Sequence, residues 1–512
     1  MFAKRYSPVE LIDIIAAPSY SPEIINYVKK VASEPFLSQF LSQKPKLGIT
    51  GTIAKDYVEA DAKDAVPYVS TKQVKGLHAY IDDAKYISRE ADIEWAKCRV
   101  EDGDIIINKS GNVGASAVLC CAPYTYANSV SDIINIKLAK NSAIDRDYLV
   151  VYLNSPYGQK QLQRLSGGAI FSHVSLHAIT DIRVFHPDIK AQKYIGDKVR
   201  QAEQLRAWAK RLEISVEHLL ISNEEYLSGC NTAETRVSRP QLNDLSNRLD
   251  PKYYGNKAIA VHRFARKTGR VLGGLIKSVA NGFEERSFIE EGLPYITVSE
   301  VSSGRLNAQA APKISKSVDV PAKAIIHESC VLVVRTGSIG TAVKVHELDK
   351  DCAISSHLIR LEFDDEETAA AVAVFLNSAA GKVLLHKISY GAVQPQIGQE
   401  ELLALSIPEY VLNEKTKCLE LLNNSELAIR ASMNLTTTAK TLVETLIEGQ
   451  LTEQQLIQAQ QALEDGDNSL DQAILRKLSS EGYAIEGATP LFNDIDELYR
   501  LLASAAQAET EE

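Results

Sequence analysis

From Ala191 to Leu220 the chain reads AQKYIGDKVRQAEQLRAWAKRLEISVEHLL, without proline or strong breaker, and its apolar residues fall on two heptad rows. One row is Ile195, Ala202, Ala209 and Val216; the other is Leu205, Leu212 and Leu219. Such rows predict a long helix lying along a second helix. They return 223 residues later, with Cys418, Ser425, Ser432, Ala439 and Leu446 on one row and Leu421, Ala428, Leu435 and Leu442 on the other. The expected pairing seam is carried by Ile195, Leu205, Leu212, Leu219, Leu421, Leu435 and Leu442, with small residues between them that let the backbones approach. A helix of about 30 residues spans about 45 Å, so the pair is expected to act as a ruler between two domains. Lys198 interrupts an otherwise apolar row, which predicts less regular pairing there.

The segments before each long helix repeat as well. VPYVSTKQV from Val66 matches LPYITVSEV from Leu293, both proline-aromatic strand starts. GDIIINKSGNVGASAVL from Gly103 matches SCVLVVRTGSIGTAVKV from Ser329, β-branched runs on both sides of a glycine turn, which predicts a hairpin in each copy. VVYLNSPYGQKQLQRLSGGA from Val150 matches AVFLNSAAGKVLLHKISYGA from Ala373, and the register then holds through the long helix. Short helices (PEIINYVKKV, EPFLSQFL) open the first copy, and a polar linker from about Ser222 to Asn243 precedes the second. Two homologous α+β domains, each followed by a long helix, is the fold this repeat implies.

Charge changes the picture only at the end of the chain. The formal net charge is -10, but Glu448 to Glu512 carries 14 carboxylates against three basic residues, so the rest is close to neutral. A near-neutral body permits nucleic-acid binding, whereas an acidic tail repels phosphate. The tail predicts helices over about Thr452 to Leu463, Ser469 to Leu478 and Asn493 to Leu502, then disorder at QAETEE. It is expected either to dock on a partner protein or to remain a solvated tail. The N-terminal residues show no signal-peptide pattern and no window reaches the length of a membrane span, so a cytoplasmic location and no membrane partner are expected. Seven cysteines without a CxxC pair point to reduced, mostly buried thiols and no metal site.

Candidate chemistry is mostly excluded by detail. Asn154-Ser155-Pro156-Tyr157 approaches the Asn-Pro-Pro-Tyr motif of amino-methyltransferases, but its repeat reads Asn377-Ser378-Ala379-Ala380, which favours a helix start. Gly103 to Ser110 imitates a phosphate loop with Asn108 where glycine is required. His173, His177 and His186 have no metal-ligand spacing. What remains is polar material on loops: Asn108, Lys109, Ser110 and Asn112 in one hairpin, and Arg335, Thr336 and Ser338 in the other. Ser172 and His173, with Gln394 and Gln396, flank the Ser-Gly-Gly-Ala and Ser-Tyr-Gly-Ala loops, and Lys72, Gln73 and Ser299 follow the proline-aromatic strands. Lys, Arg, Asn and Gln can contact phosphates and base edges; each alone is equally a solvated turn residue, but the pairing of loops favours a DNA-binding surface.

In this order, repeated twice over about Lys4 to Gln450, the motifs resemble the specificity subunit of type I restriction-modification systems, or a related phage-defence specificity subunit. The resemblance implies two target recognition domains joined by two long antiparallel coiled-coil helices, with a small helical acidic tail. Its boundaries here are residues 1–188 for the first recognition domain, 189–222 for the central helix, 223–411 for the linker and second recognition domain, 412–449 for the distal helix and 450–512 for the tail. It further implies a non-catalytic subunit that reads a bipartite, asymmetric double-stranded DNA target and docks two methyltransferase subunits, with or without restriction-translocase subunits. No cofactor is expected in this chain; S-adenosylmethionine is expected in the methyltransferase partner. Alternatives are an adaptor of a non-methylating defence complex, a structural coiled-coil adaptor, and an enzyme whose site lies between the copies.

Overall fold

The computed structural model describes residues 17–166, 173–391 and 394–510. Ser172 lies outside them, as does much of the Ser-Gly-Gly-Ala loop. The chain forms two compact units, Met1–Arg206 with Arg430–Glu512, and Ala207–Ile429.

The first unit holds two five-stranded sheets. One orders its strands Lys46–Leu47, Ile133–Ile136, Ile105–Asn108, Ser116–Cys120 and His78–Tyr80; the other orders them Tyr57–Val58, Lys85–Ile87, Val66–Val69, Tyr126–Ser129 and Arg99–Glu101. The predicted hairpin is present, with Ile105 opposite Val118 and Ile107 opposite Ser116. Ile105 and Ile107 face one core with Tyr148, Tyr152 and Val151, while Ile106 faces a second with Val69, Ala117 and Leu119. Burial on both faces is why this strand is a continuous apolar run rather than an alternating one.

The second unit repeats the plan. Its four-stranded sheet orders Ser278–Asn281, Leu358–Glu362, Cys330–Val334 and Ala342–Lys344, and its hairpin pairs Val331 with Lys344 and Val333 with Ala342. A three-stranded sheet around Leu293–Ile296 and a pair of strands, Gly269–Val271 and Ser406–Pro408, complete it. Where the second unit has the strand Ser406–Pro408 before its long helix, the first has only an isolated bridge between Phe36 and Arg183. The polar linker contains a helix, Glu224–Cys230, which turns Tyr226 and Gly229 inward.

The Leu-Asn-Ser motif resolves into a structural device, as its helix-start reading anticipates. Ser155 caps the helix Pro156–Leu165 and Ser378 caps Ala379–Ile388. The preceding asparagine ends one helix and mimics a strand partner. Asn154 Oδ1 accepts from Ser116 N at 3.3 Å and its Nδ2 donates to Ser116 O at 2.7 Å; Asn377 makes the same two bonds to Ala342. Gly158 and Gly381 follow because a Cβ there would lie 2.5 and 2.1 Å from the carbonyl oxygens of Tyr152 and Phe375.

The long helices run Ile189–Ile221 and Lys415–Ile447, and each gives one half to each unit. Within the first unit, Arg206 donates to Thr436 at 3.1 Å, while Ala191, Tyr194 and Ile195 share a core with Leu442, Val443 and Leu446. Within the second, Leu220 O accepts from Tyr410 and Arg305 joins Glu213 to Ser425 and Glu426. Both sets of contacts make the paired halves antiparallel.

The tail is not a solvated extension. Its helices Glu453–Glu464, Ser469–Leu475 and Ile495–Thr510 fold onto the first unit, and the last continues through Thr510 rather than fraying at Gln507. Leu456, Ala459 and Ile474 join the first unit's core. The carboxylates have local partners: Glu464 meets Lys193 at 2.6 Å and Asp471 meets Lys198 at 2.7 Å. Lys198 therefore does not disorder the seam. It is 1% exposed and Asp471 2%, with the Tyr194 and Tyr499 phenols donating to the same carboxylate. Burial alone would raise the Asp471 carboxyl, but the Lys198 charge and these donors hold it below its usual value.

A buried pair of this kind stabilises little by itself, yet removing one partner strands the other charge. Lys198→Met should destabilise the first unit by about 3–5 kcal/mol, and adding Asp471→Leu should restore most of that loss. The chemical-denaturation midpoint of the full chain measures both; equal midpoints for single and double variants would contradict the buried pair.

Candidate nucleic-acid interface

In each unit the hairpin turn is built on two glycines with positive φ: Gly111 at 73° and Gly114 at 84°, Gly337 at 88° and Gly340 at 106°. Residues with a Cβ are strained in that region, so the turn dictates glycine at both repeat positions. The residue before the turn is Lys109 in one unit and Arg335 in the other, and its backbone is held identically. Lys109 N donates to Asp132 O at 2.8 Å and Lys109 O accepts from Val174 N at 3.2 Å. Arg335 N donates to His357 O at 2.9 Å and Arg335 O accepts from Ile397 N at 2.9 Å. Three loops distant in sequence thus converge on one cationic residue, twice.

The side chains divide by exposure. Asn112, Ser338, His173, Gln394, Lys72 and Ser299 are exposed; Lys109, Ser110, Arg335 and Gln396 are half-buried. Ser110 Oγ donates to the Asp132 carboxylate at 2.7 Å, and Arg335 donates to Ser356 O at 3.4 Å. Thr336 and Tyr390 both bridge to Gln396 in the second unit, and Gly337 N donates to Pro395 O at 3.4 Å. The structure therefore joins Lys109, Ser110 and Asn112 to the loop carrying His173, and Arg335, Thr336 and Ser338 to the loop carrying Gln394 and Gln396.

Three candidates are turned inward. Asn108 is 1% exposed at the end of its strand, because it lies on the face that carries Ile106. Gln73 closes a capping box, accepting from Ser70 N at 2.9 Å and donating to Asp83 O at 3.2 Å. Thr336 is 7% exposed against Gln396. None of the three presents its side chain to a ligand in this conformation. Lys72 and Ser299 occupy the turns after Val66–Val69 and Leu293–Ile296. Of the remaining histidines, His177 is exposed and His186 stacks on Phe40.

Sequence reading missed Asp132 and His357, which sit at the same bend before the strands Ile133–Ile136 and Leu358–Glu362. Their signal was the repeated position, masked by unlike residue types. It also missed Arg248, which donates to Ile388 O at 2.8 Å and Ser389 O at 2.7 Å, fixing the start of the second unit's loop. Beside it, Lys387 donates to Tyr253 O at 2.6 Å with its ammonium 3.2 Å from the Tyr253 ring centroid. Burial pulls Lys387 down to about 8 despite the nearby Asp244 carboxylate. Burial, with the Lys387 charge, pulls His262 down to about 4.

Chemically, the two clusters offer cations, amides, hydroxyls and backbone groups around glycines, suited to binding rather than bond-breaking. The thiols are protonated: burial pushes Cys330 up to about 11 and Cys352 up to about 12. Among the described residues no group of three or more His, Cys, Asp or Glu could hold a metal ion, and no single helix is long and apolar enough to cross a membrane.

No family model matches the chain. It is similar to the type I restriction enzyme EcoBI specificity subunit of Escherichia coli, at 24% identity over 198 residues, 36% of this chain and 39% of that protein. The match thus spans well under two thirds of that relative's length. Among solved structures it aligns with a type I restriction-modification system S subunit from M. genitalium, with a TM-score of 0.44 at 14% identity over 81% of this chain and 95% of that one. An HsdS subunit from Thermoanaerobacter tengcongensis aligns with a TM-score of 0.27 at 12% identity, over 81% of this chain and 96% of that one.

The cluster around Lys387 has a pH consequence. The unfolded chain takes up a proton at His262 below about 6.5, while the folded chain resists it down to about 4. His262 therefore leaves stability unaffected above that window and lowers it progressively as pH falls from 6.5 to 4. His262→Gln should flatten the fall in denaturation midpoint across this range, and an unchanged slope would place the proton uptake elsewhere.

Proposed function

We propose that this chain, which resembles a type I specificity subunit in sequence, is the non-catalytic DNA-recognition subunit of a restriction-modification complex. It reads one half of a bipartite, asymmetric duplex target with each unit and docks two methyltransferase subunits. S-adenosylmethionine and the methyl-transfer chemistry belong to those partners, and restriction-translocase subunits join where the system also cleaves.

The observation that carries this reading is the doubled cluster. Lys109 and Arg335 are held by the same two backbone bonds, among exposed amides and hydroxyls, in two units of one repeat. Arginine and lysine bind phosphate or the guanine edge, and asparagine and glutamine match adenine. Because the cluster occurs twice with different side chains, two unlike half-sites follow.

The test is a methylome of cells carrying this gene with its neighbouring methyltransferase gene. Wild type should yield one bipartite modified motif. A swap of residues 335–340 for an unrelated turn should change one half of the motif and leave the other half intact. Lys109→Ala should weaken binding of the assembled complex by about 1–3 kcal/mol if it reads a base, or lower the salt slope by about one if it meets a phosphate. Retention of the full motif after the turn swap would remove the reading; a complex that restricts phage without any modified motif would favour a non-methylating defence adaptor.

A further inference from the structure

The repeat supplies an internal control for the long-helix pair. On the row that begins at Lys198, the first unit buries Lys198, Leu205, Leu435 and Leu442 to 1% exposure or less. The repeat-equivalent positions in the second unit are Leu421, Ala428, Leu212 and Leu219. Ala428 is buried, but the three leucines are partly exposed. Helix pairing alone therefore does not close this face.

In the first unit it is the C-terminal segment that closes it. Asp471 reaches Lys198 and Tyr194, Leu491 O accepts from Asn434 at 2.7 Å, and Glu509 accepts from Gln204 at 3.1 Å. The last helix turns Ile495, Leu498, Leu501 and Ala505 inward. That segment occurs once in the chain, whereas the face occurs twice. In the second unit an exposed lysine, Lys417, stands where Tyr194 meets the Asp471 carboxylate, and Leu421 stands in place of Lys198. An occupant of that face needs an apolar stripe on a helix and a carboxylate for Lys417, the chemistry the tail already supplies to the first unit.

We propose that the C-terminal segment is a resident occupant of one of two equivalent docking faces, so that the two methyltransferase subunits bind unequally. The first seats a helical, carboxylate-bearing element on Leu212, Leu219, Leu421 and Lys417; the second gains its face only by displacing the tail. This rests on the proposed specificity role. A tethered competitor acts at high effective concentration, and cutting the tether removes most of that advantage.

The experiment titrates the full chain with its methyltransferase, counting bound copies by native mass spectrometry and resolving steps by calorimetry. Three forms are compared: wild type, a chain with a protease site inserted after Gly449 and cleaved, and Leu219→Glu with Leu421→Glu. Wild type should bind in two steps differing by about tenfold or more, cleavage should bring the steps together, and the double substitution should remove the tight step. Both substituted leucines are already partly exposed, and retained binding at the weak site shows that the variant is folded. Two equal steps in the uncleaved chain, or no effect of cleavage, would overturn the inference while leaving the specificity role intact. Self-association of the chain through Leu421 in place of partner binding would overturn it too. No methyltransferase binding by any form would overturn both.

Discussion

Everything in this chain is arranged around a seam that neither long helix can bury alone. A row of apolar and small residues covers a narrow stripe of each helix, too narrow to face a globular core on all sides and too apolar to face water. The antiparallel halves close part of it in each unit: Ile195 and Ala202 are fully buried, as are Ala428 and Ala439. The bodies then fasten to the helices through a carboxylate at matching positions. Glu203, set by His78, Tyr80 and Arg206, and Glu426, set by Arg305, hold the same place in the repeat. Small seam residues permit the close approach, and the charged clamps at its edge fix the register.

The seam also explains where the two copies diverge. A lysine in an apolar row is costly unless its charge is met, because desolvating an ammonium exceeds what a neighbouring leucine contact returns. Lys198 is tolerated because the tail delivers Asp471, whose carboxylate also accepts from Tyr499 of the tail and from Tyr194 of the long helix itself. Leu421 needs no such partner, and the second unit has no such tail. One residue that breaks a pattern is thus bound up with the placement of the whole acidic C-terminal segment.

The repeat, the hairpins, the helix starts at Ser155 and Ser378 and the long helices were legible in sequence, because each rests on periodicity or on glycine and capping chemistry that acts locally. Tail docking was not legible. Its determinants, Lys198 and Asp471, lie 273 residues apart, and each alone is indistinguishable from a solvated surface charge. The inward turn of Asn108 was equally hidden, since strand facing depends on long-range register, whereas that of Gln73 follows from a local Ser70-to-Gln73 capping box to which the chain adds a bond to Asp83 O. Asp132 and His357 escaped notice for a different reason: alike in backbone role, they share no side-chain chemistry.

That last difference bears on how such a surface varies. The cluster's frame consists of glycine turns and main-chain bonds to residues 109 and 335, none of which uses a side chain of the displayed set. Lysine can give way to arginine, Ser110 to Thr336, Asn112 to Ser338 and Asp132 to His357 with the frame unchanged, as the two units themselves demonstrate. Exposed substitutions outside such a frame cost little stability, so the chemistry presented at the turn is free to change. In the proposed recognition role, a scaffold indifferent to its displayed residues separates folding from recognition, and duplication of that scaffold lets each copy drift to its own half-site.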